Sequence, residues 1–274
     1  MEALRARPKP ASRVGRFNHN PESSLVFGFL QRRARRTWTA PEGRRAYIVG
    51  DVHGCLGKLD DLLAQIESDH AARGRADTFL VFLGDLVDRG PDSRGVLERL
   101  RTFSAPGIRP VFLMGNHEEF FLRVLDGDTS TVGKWLGFGG RELATSYGLT
   151  EGWLLNATSE AVVQALVQAV PREHLTFVRG FADSFRFGDY LCVHAGIRPG
   201  VALDAQVPDD TRWIREGFLD DRTDHGVMVV HGHTITPEPE EKANRIGIDT
   251  GAYRGGPLTA LAVEAGERWY LQAT

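Results

Sequence analysis

Three apolar runs in the first half of the chain end in the same kind of turn. AYIVG leads into Asp51 and His53 (GDVHG), TFLVFLG into Asp85 (GDLVDRG), and RPVFLMG into Asn116 and His117 (GNHE). Each run is followed by a helical pattern: KLDDLLAQIESDHAA, with Leu59, Leu62, Leu63 and Ile66 on one face, then SRGVLERL, then HEEFFLRVL. Strands that alternate with amphipathic helices predict a parallel sheet and an α/β fold. In such sheets ligands gather beyond the carboxyl ends of the strands, so three polar turns at equivalent places converge on one site. A single turn of this kind would carry no chemistry, because Asp and Gly favour turns and Asp caps helices for local reasons.

Residues 126–171 break the alternation. Their pattern is helical and punctuated by Gly (TVGKWLGFGGRELATSYG, then SEAVVQALVQAV), which predicts a helical insertion beside the site. Strands are predicted again at HLTFVRGF, SFRFGDYLCVHAG, GVMVVHGH, NRIGIDTG, PLTALAVEAG and ERWYLQA. Hairpin turns at Gly188-Asp189 and Ala265-Gly266 make this half mixed or antiparallel. It adds further strand-end histidines: His194 in HAG, His231 and His233 in HGHT. One such histidine is more often a satisfied structural residue than a ligand. Imidazole, carboxylate and amide gathered together without thiolate suit two divalent ions such as Mn, Fe or Zn. The only cysteines, Cys55 and Cys192, are too few for a thiolate zinc site or a disulfide framework and read as small buried hydrophobes in a reducing compartment.

Charge is unevenly placed. Residues 1–45 hold eleven Lys and Arg against three Asp and Glu, leaving 22 against 33 in the remainder. The leader reads as a solvated tail in which residues 25–38 form a short amphipathic piece on the body; docking to an acidic partner or an anionic lipid is the alternative. A twin-arginine export signal is rejected because the apolar run precedes the arginines. No apolar run approaches the roughly 18 residues of a membrane span, and MEALRARPKP lacks the apolar core of a secretory signal, so a cytoplasmic protein is expected. Only the basic leader speaks for nucleic acid, and no internal repeat or second domain is visible.

In this order, GDVHG, GDLVDRG, GNHE, HAG and GHT resemble the motif set of the calcineurin-like metallophosphoesterases and, within them, of the phosphoprotein phosphatase family. WIRE (residues 213–216) and IDTGAY (residues 248–253) resemble its bacterial and phage branch, and the resemblance spans residues 46–271. It implies a metallophosphoesterase domain at 45–274, a sandwich of two mixed β-sheets flanked by helices, preceded by a basic extension at 1–44. It also implies a binuclear metal centre: Asp51, His53 and Asp85 on one ion, and Asp85, Asn116, His194 and His233 on the other, with Mn expected and Fe or Zn as alternatives. His233 is taken over His231 because the family ligand directly follows Gly. Ile235 stands where relatives with GHxH carry another ligand, which favours the phosphatase-type site over the nuclease and cyclic-nucleotide branches.

The resemblance further makes His117 the general acid, held cationic by Asp88, and gives the substrate phosphate to Arg89, Asn116 and Arg215. The implied activity is hydrolysis of phosphomonoesters by a hydroxide formed between two metal ions, without a phosphoenzyme. Leu113-Met114 before GNHE and the DTGAYRGG loop depart from eukaryotic members, so regulatory-subunit binding is not carried over. The expected substrate is phosphoserine or phosphothreonine in a protein, with phosphotyrosine also open. The enzymatic alternative is a symmetrical dinucleoside tetraphosphatase, a branch that tends to carry glutamine where His53 stands. A silent binding scaffold is the alternative from a different class.

Overall fold

The structure is a computed structural model that describes residues 37–274. Residues 1–36 of the expected basic extension, and with them its docking role and residues 25–36 of the amphipathic piece, lie outside the described residues.

Two mixed sheets of five strands each face one another. The first is built on β1 (Arg44–Val49), β2 (Asp77–Phe82) and β3 (Ile108–Phe112), which are parallel neighbours, as the alternating pattern predicts. Helices α1 (Leu56–Ala72) and α2 (Ser93–Arg101) make the crossovers, and α3 (Asn116–Leu125) follows β3. The second sheet runs in the order β4 (Ser184–Phe187), β5 (Tyr190–Val193), β6 (Met228–His231), β8 (Arg245–Gly247), β7 (Glu240–Glu241). The hairpin β9 (Leu258–Glu264) and β10 (Glu267–Ala273) returns to the first sheet beside β1, with its turn at Ala265 and Gly266.

Alternation along each strand decides what is packed where. From β1 and β2, Tyr47, Val49, Leu80 and Phe82 point to the helices, whereas Ala46, Ile48 and Val81 point to the other sheet and meet Cys192, Val230 and Ile246. A strand buried on both faces must be apolar throughout, which is why AYIVG and LVFLG read as continuous runs. The far face of the second sheet is covered separately by Ile197, Phe218 and Val227 on Leu191, Val193 and Val229.

Beyond α3, helices α4 (Thr129–Trp135), α5 (Arg141–Ser146), α6 (Glu151–Leu154), α7 (Ser159–Ala169) and α8 (Arg172–Arg179) form the insertion, with a wide turn, Leu136–Gly140, between α4 and α5. The strand expected at HLTFVRGF is instead helix α8. His174 and Val178, four residues apart, are its buried positions, so its period is 3.6 rather than 2. Pro171 just before it, with Glu173 in the first turn, is a helix-start signal that the β-favouring Thr, Phe and Val outweighed in the sequence reading. A short helix α9 (Pro208–Trp213) precedes the WIRE segment. No helix among the described residues is long and apolar enough to cross a membrane.

Residues 37–43 pack on the body. Trp38 and Ala40 are buried in the layer between the sheets, the Ala40 amide donates to Ala265 O, and Thr39 Oγ1 donates to the Asp189 carboxylate. A chain beginning at Arg44 is therefore expected to have a lower urea midpoint than one beginning at Thr37, with a stability loss of about 3 kcal/mol or more, the scale of deleting a buried Trp. Equal midpoints for the two chains would show that Trp38 contributes nothing to the core.

Candidate active site

The polar turns meet at the carboxyl ends of β1, β2, β3, β5 and β6. Asp85 sits in the middle. Its Oδ1 accepts from the His117 amide at 3.1 Å, and its Oδ2 lies 3.3 Å from His194 Nε2, 3.6 Å from His53 Nε2 and 3.9 Å from His117 Nε2. The turn carrying it is fixed by the buried carboxylate of Glu118, which accepts from the amides of Asp85, Leu86, Val87 and Gly115. The main chain of Asp85 in turn accepts from the amides of Val52 and His53, so two of the motifs are bound together through backbone.

The histidine tautomers follow from carbonyl partners, which can only accept. His53 Nδ1 donates to Val87 O at 2.8 Å and His194 Nδ1 to Leu83 O at 2.9 Å. Both protons are then on Nδ1, and both Nε2 atoms present lone pairs to the site. His53 Nε2 is buried with no hydrogen-bond partner. His194 Nε2 faces Asn116 Oδ1 at 3.0 Å and His233 Nδ1 at 3.2 Å. Asp51, which accepts from the His233 amide at 3.1 Å, puts Oδ2 4.0 Å from His53 Nε2.

Buried acceptors facing acceptors, one with no partner at all, fit cations held between them and are costly without them. Among the described residues two groups have metal-holding geometry, His53 with Asp85 and His117, and Asp85 with His194 and His233. They share Asp85. Oxygen and imidazole nitrogen without thiolate suit hard or borderline divalent ions.

Of the two histidines in HGHT, only His233 enters the cluster. His231 is buried against Phe218 and bonds to Gly232 O and the Arg245 guanidinium, and burial lowers its pKa to about 4. The carboxylates divide. Burial, with Asp249 and Asp85 nearby, pushes Asp51 well above the usual carboxylate range. Burial opposes charge on Asp85 too, but the surrounding imidazoles of His194 and His117 outweigh it and hold Asp85 well below that range.

Beside this cluster, His117 Nδ1 bonds Asp88 Oδ2 at 2.7 Å with both groups fully buried. Burial disfavours the imidazolium, but Asp85 and Asp88 outweigh it and raise the His117 pKa. Trp135 Nε1 donates to the other Asp88 oxygen at 3.2 Å. Arg89 Nη1 donates to Tyr253 Oη at 2.9 Å, and Arg215 Nη2 donates to His233 O at 3.1 Å. All ten residues expected from sequence therefore surround one location.

Four neighbours were not anticipated: Glu118, Trp135, Tyr253 and Asp249. Glu118 had a signal, since it is the last residue of GNHE and stands at the third helical position of α3, where a carboxylate reaches back to free amides. Trp135 had none, because the insertion's approach to Asp88 spans 47 residues. That approach is tight. Gly139 has φ 110°, and a Cβ there would lie 2.6 Å from the Arg89 nitrogen, so only glycine lets the insertion accept the Arg89 amide through Gly139 O.

Backbone strain is concentrated here as well. Six non-glycine residues have positive φ among the described residues, and five of them are His53, Asp85, Asp88, Arg89 and His233. The sixth, Ala265, is the hairpin turn. Such conformations persist where surrounding structure over-determines them.

A two-sheet α/β sandwich whose strand ends gather carboxylate, imidazole and amide around a shared aspartate, with arginines at the rim, defines a hydrolase of phosphate esters. The calcineurin-like phosphoesterase family matches residues 44–256, and the chain belongs to it. It is 30% identical over 233 residues to "Serine/threonine-protein phosphatase 1" of Salmonella typhimurium, covering 82% of this chain and 94% of that one. It is also 30% identical over 242 residues to the asymmetrical bis(5'-nucleosyl)-tetraphosphatase PrpE of Halalkalibacterium halodurans, covering 78% and 88%. A crystal structure described as a putative diadenosine tetraphosphatase superimposes with TM-score 0.60 at 23% identity, covering 86% of this chain and 96% of that one, which supports the fold.

Proposed function

We propose that the chain is a cytoplasmic, metal-dependent phosphomonoesterase that removes phosphate from phosphoserine and phosphothreonine in proteins. The observation that carries this reading is the buried His117–Asp88 pair, an imidazole hydrogen-bonded to a carboxylate, with its pKa raised, at the edge of the metal-type cluster. A serine alkoxide is a poor leaving group and needs a proton as the P–O bond breaks, which is the work of a general acid. Asp88 orients His117 through Nδ1, and in the imidazolium form Nε2 carries the proton to be given. Arg89 and Arg215, with planar forks suited to phosphate oxygens, hold the phosphoryl group from two sides, and Asn116 adds a contact beside them. Asp51, His53 and Asp85 would hold one divalent ion and Asp85, Asn116, His194 and His233 the other, Mn by preference with Fe or Zn as alternatives. When bound, the two ions supply a hydroxide near neutral pH and neutralise phosphoryl charge. The likeness to a serine/threonine phosphatase along most of the chain supports the substrate class.

A second reading, dinucleoside tetraphosphatase, is favoured by the PrpE likeness over most of the chain and by 42% identity over 79 residues to symmetrical enzymes of Coxiella burnetii. Measured side by side with Mn²⁺, kcat/KM is expected to be higher on a phosphoserine peptide than on diadenosine tetraphosphate. The reverse order would overturn the protein-phosphatase reading, and turnover of neither would favour a binding scaffold.

A further inference from the structure

Arg254 is exposed beside the half-buried Tyr253, in the loop that follows β8. Tyr253 Oη accepts from Arg89 Nη1 at 2.9 Å and from Arg254 Nε at 2.8 Å. The two guanidinium carbons lie 4.8 and 5.3 Å from the same ring centroid. Like charges brought to one oxygen repel, and among the described residues neither guanidinium has a carboxylate partner. Arg45, Arg73, Arg99 and Arg212, by contrast, all pair with acids. With both lone pairs of Tyr253 Oη occupied, its own hydrogen is left to donate.

This arrangement is held in place. Gly251 and Gly255, at φ 71° and 91°, flank the turn Ala252–Arg254, and Lys58 Nζ donates to Gly256 O. A Cβ on Gly256 would stand 2.0 Å from Thr250 O, so the loop closes on itself without room to shift. The Tyr253 ring also packs edge-on against His53 at 5.0 Å, which ties it to the cluster.

We propose that Tyr253 Oη–H and the free Nη groups of Arg254 form a second anion subsite next to the phosphate held by Arg89, and that it takes a further oxyanion carried by the substrate. In a phosphoprotein that group is a second phosphate or a carboxylate near the scissile residue; in a dinucleotide it is the next phosphate of the chain. The proposal rests on the reading that Arg89 holds the scissile phosphate.

The test is calorimetric and independent of turnover. Manganese-loaded protein is titrated with inorganic phosphate and with methylenebisphosphonate, at low ionic strength and matched free Mn²⁺. The unaltered protein is expected to bind the bisphosphonate about tenfold more tightly than phosphate, the scale of one charge-assisted contact. Arg254→Gln should bring the ratio close to one, and Tyr253→Phe should lower it. A ratio that Arg254→Gln leaves unchanged, or no preference in the unaltered protein, overturns the subsite. If Arg89→Ala leaves phosphate binding unchanged, the Arg89 reading falls and the adjacency falls with it. Failure to dephosphorylate a phosphoserine peptide would count against the substrate class alone, because neither probe is a phosphopeptide.

Discussion

Asp85→Asn is expected to remove metal and activity together while leaving the fold intact. The carboxylate sits between His53 and His194 Nε2 at 3.6 and 3.3 Å, and its other oxygen takes the His117 amide. An asparagine with Oδ1 in the second role places its NH₂ toward the two imidazole lone pairs. Donors then face acceptors, and the convergence that calls for cations is satisfied by the protein itself. The metal-free variant should therefore melt at or above the metal-free parent. Hydrogen-bond partners of metal ligands are commonly worth about 10–100-fold in affinity, so losing a shared ligand should exceed that. His194→Ala and His233→Ala should also lose metal, whereas His231→Ala should keep it and lose stability through the Phe218 and Arg245 contacts. Chelation should abolish turnover and Mn²⁺ restore it. Metal analysis showing two ions in Asp85→Asn, or greater metal loss from His231→Ala than from His233→Ala, would reject this account of the centre.

The strand ends were legible in sequence because their signal is local. A parallel strand buried on both faces must be continuously apolar, and the residue after it must turn, so AYIVG, TFLVFLG and RPVFLMG announce both the sheet and the direction of its polar ends. The converging histidines were legible only jointly, through the motif order, since no spacing rule separates His233 from His231. What separates them is the positive φ at His233 and the contact between His231 and Arg245. The helix α8 was misread because eight residues hold too few turns for a 3.6 period to outweigh β-favouring side chains. Trp135 on Asp88, and Arg89 on Tyr253, are contacts between segments whose approach is set by packing alone. They were invisible for the same reason that Gly139 looked like a mere helix interruption: its need for glycine comes from Arg89, 50 residues earlier in the chain.

The charges of GDLVDRG separate most clearly through the leaving group. Asp88 makes no contact with the metal-type lone pairs; its oxygens are taken by His117 Nδ1 and Trp135 Nε1, and its amide donates to Ser93 Oγ. Burial raises its pKa, and the hydrogen bond from His117 works against that shift. Asp88→Asn keeps the shape but removes the charge that sustains the His117 proton. Metal content should be unchanged, and damage should track how badly the departing oxygen needs that proton. On a phosphoserine peptide, Asp88→Asn and His117→Asn should each cost about 10²-fold or more in kcat, the range of a general acid. Nitrophenolate leaves without help, so losses on nitrophenyl phosphate should be much smaller. Arg89→Ala should behave differently, raising KM and lowering kcat on both substrates, because a phosphate contact made before and during reaction does not depend on the leaving group. The comparison is made where chemistry limits the rate, with metal content checked for each variant. Equal losses on the two esters would remove the general-acid role and leave Asp88 as a buried residue that orders the turn through Ser93 and Trp135.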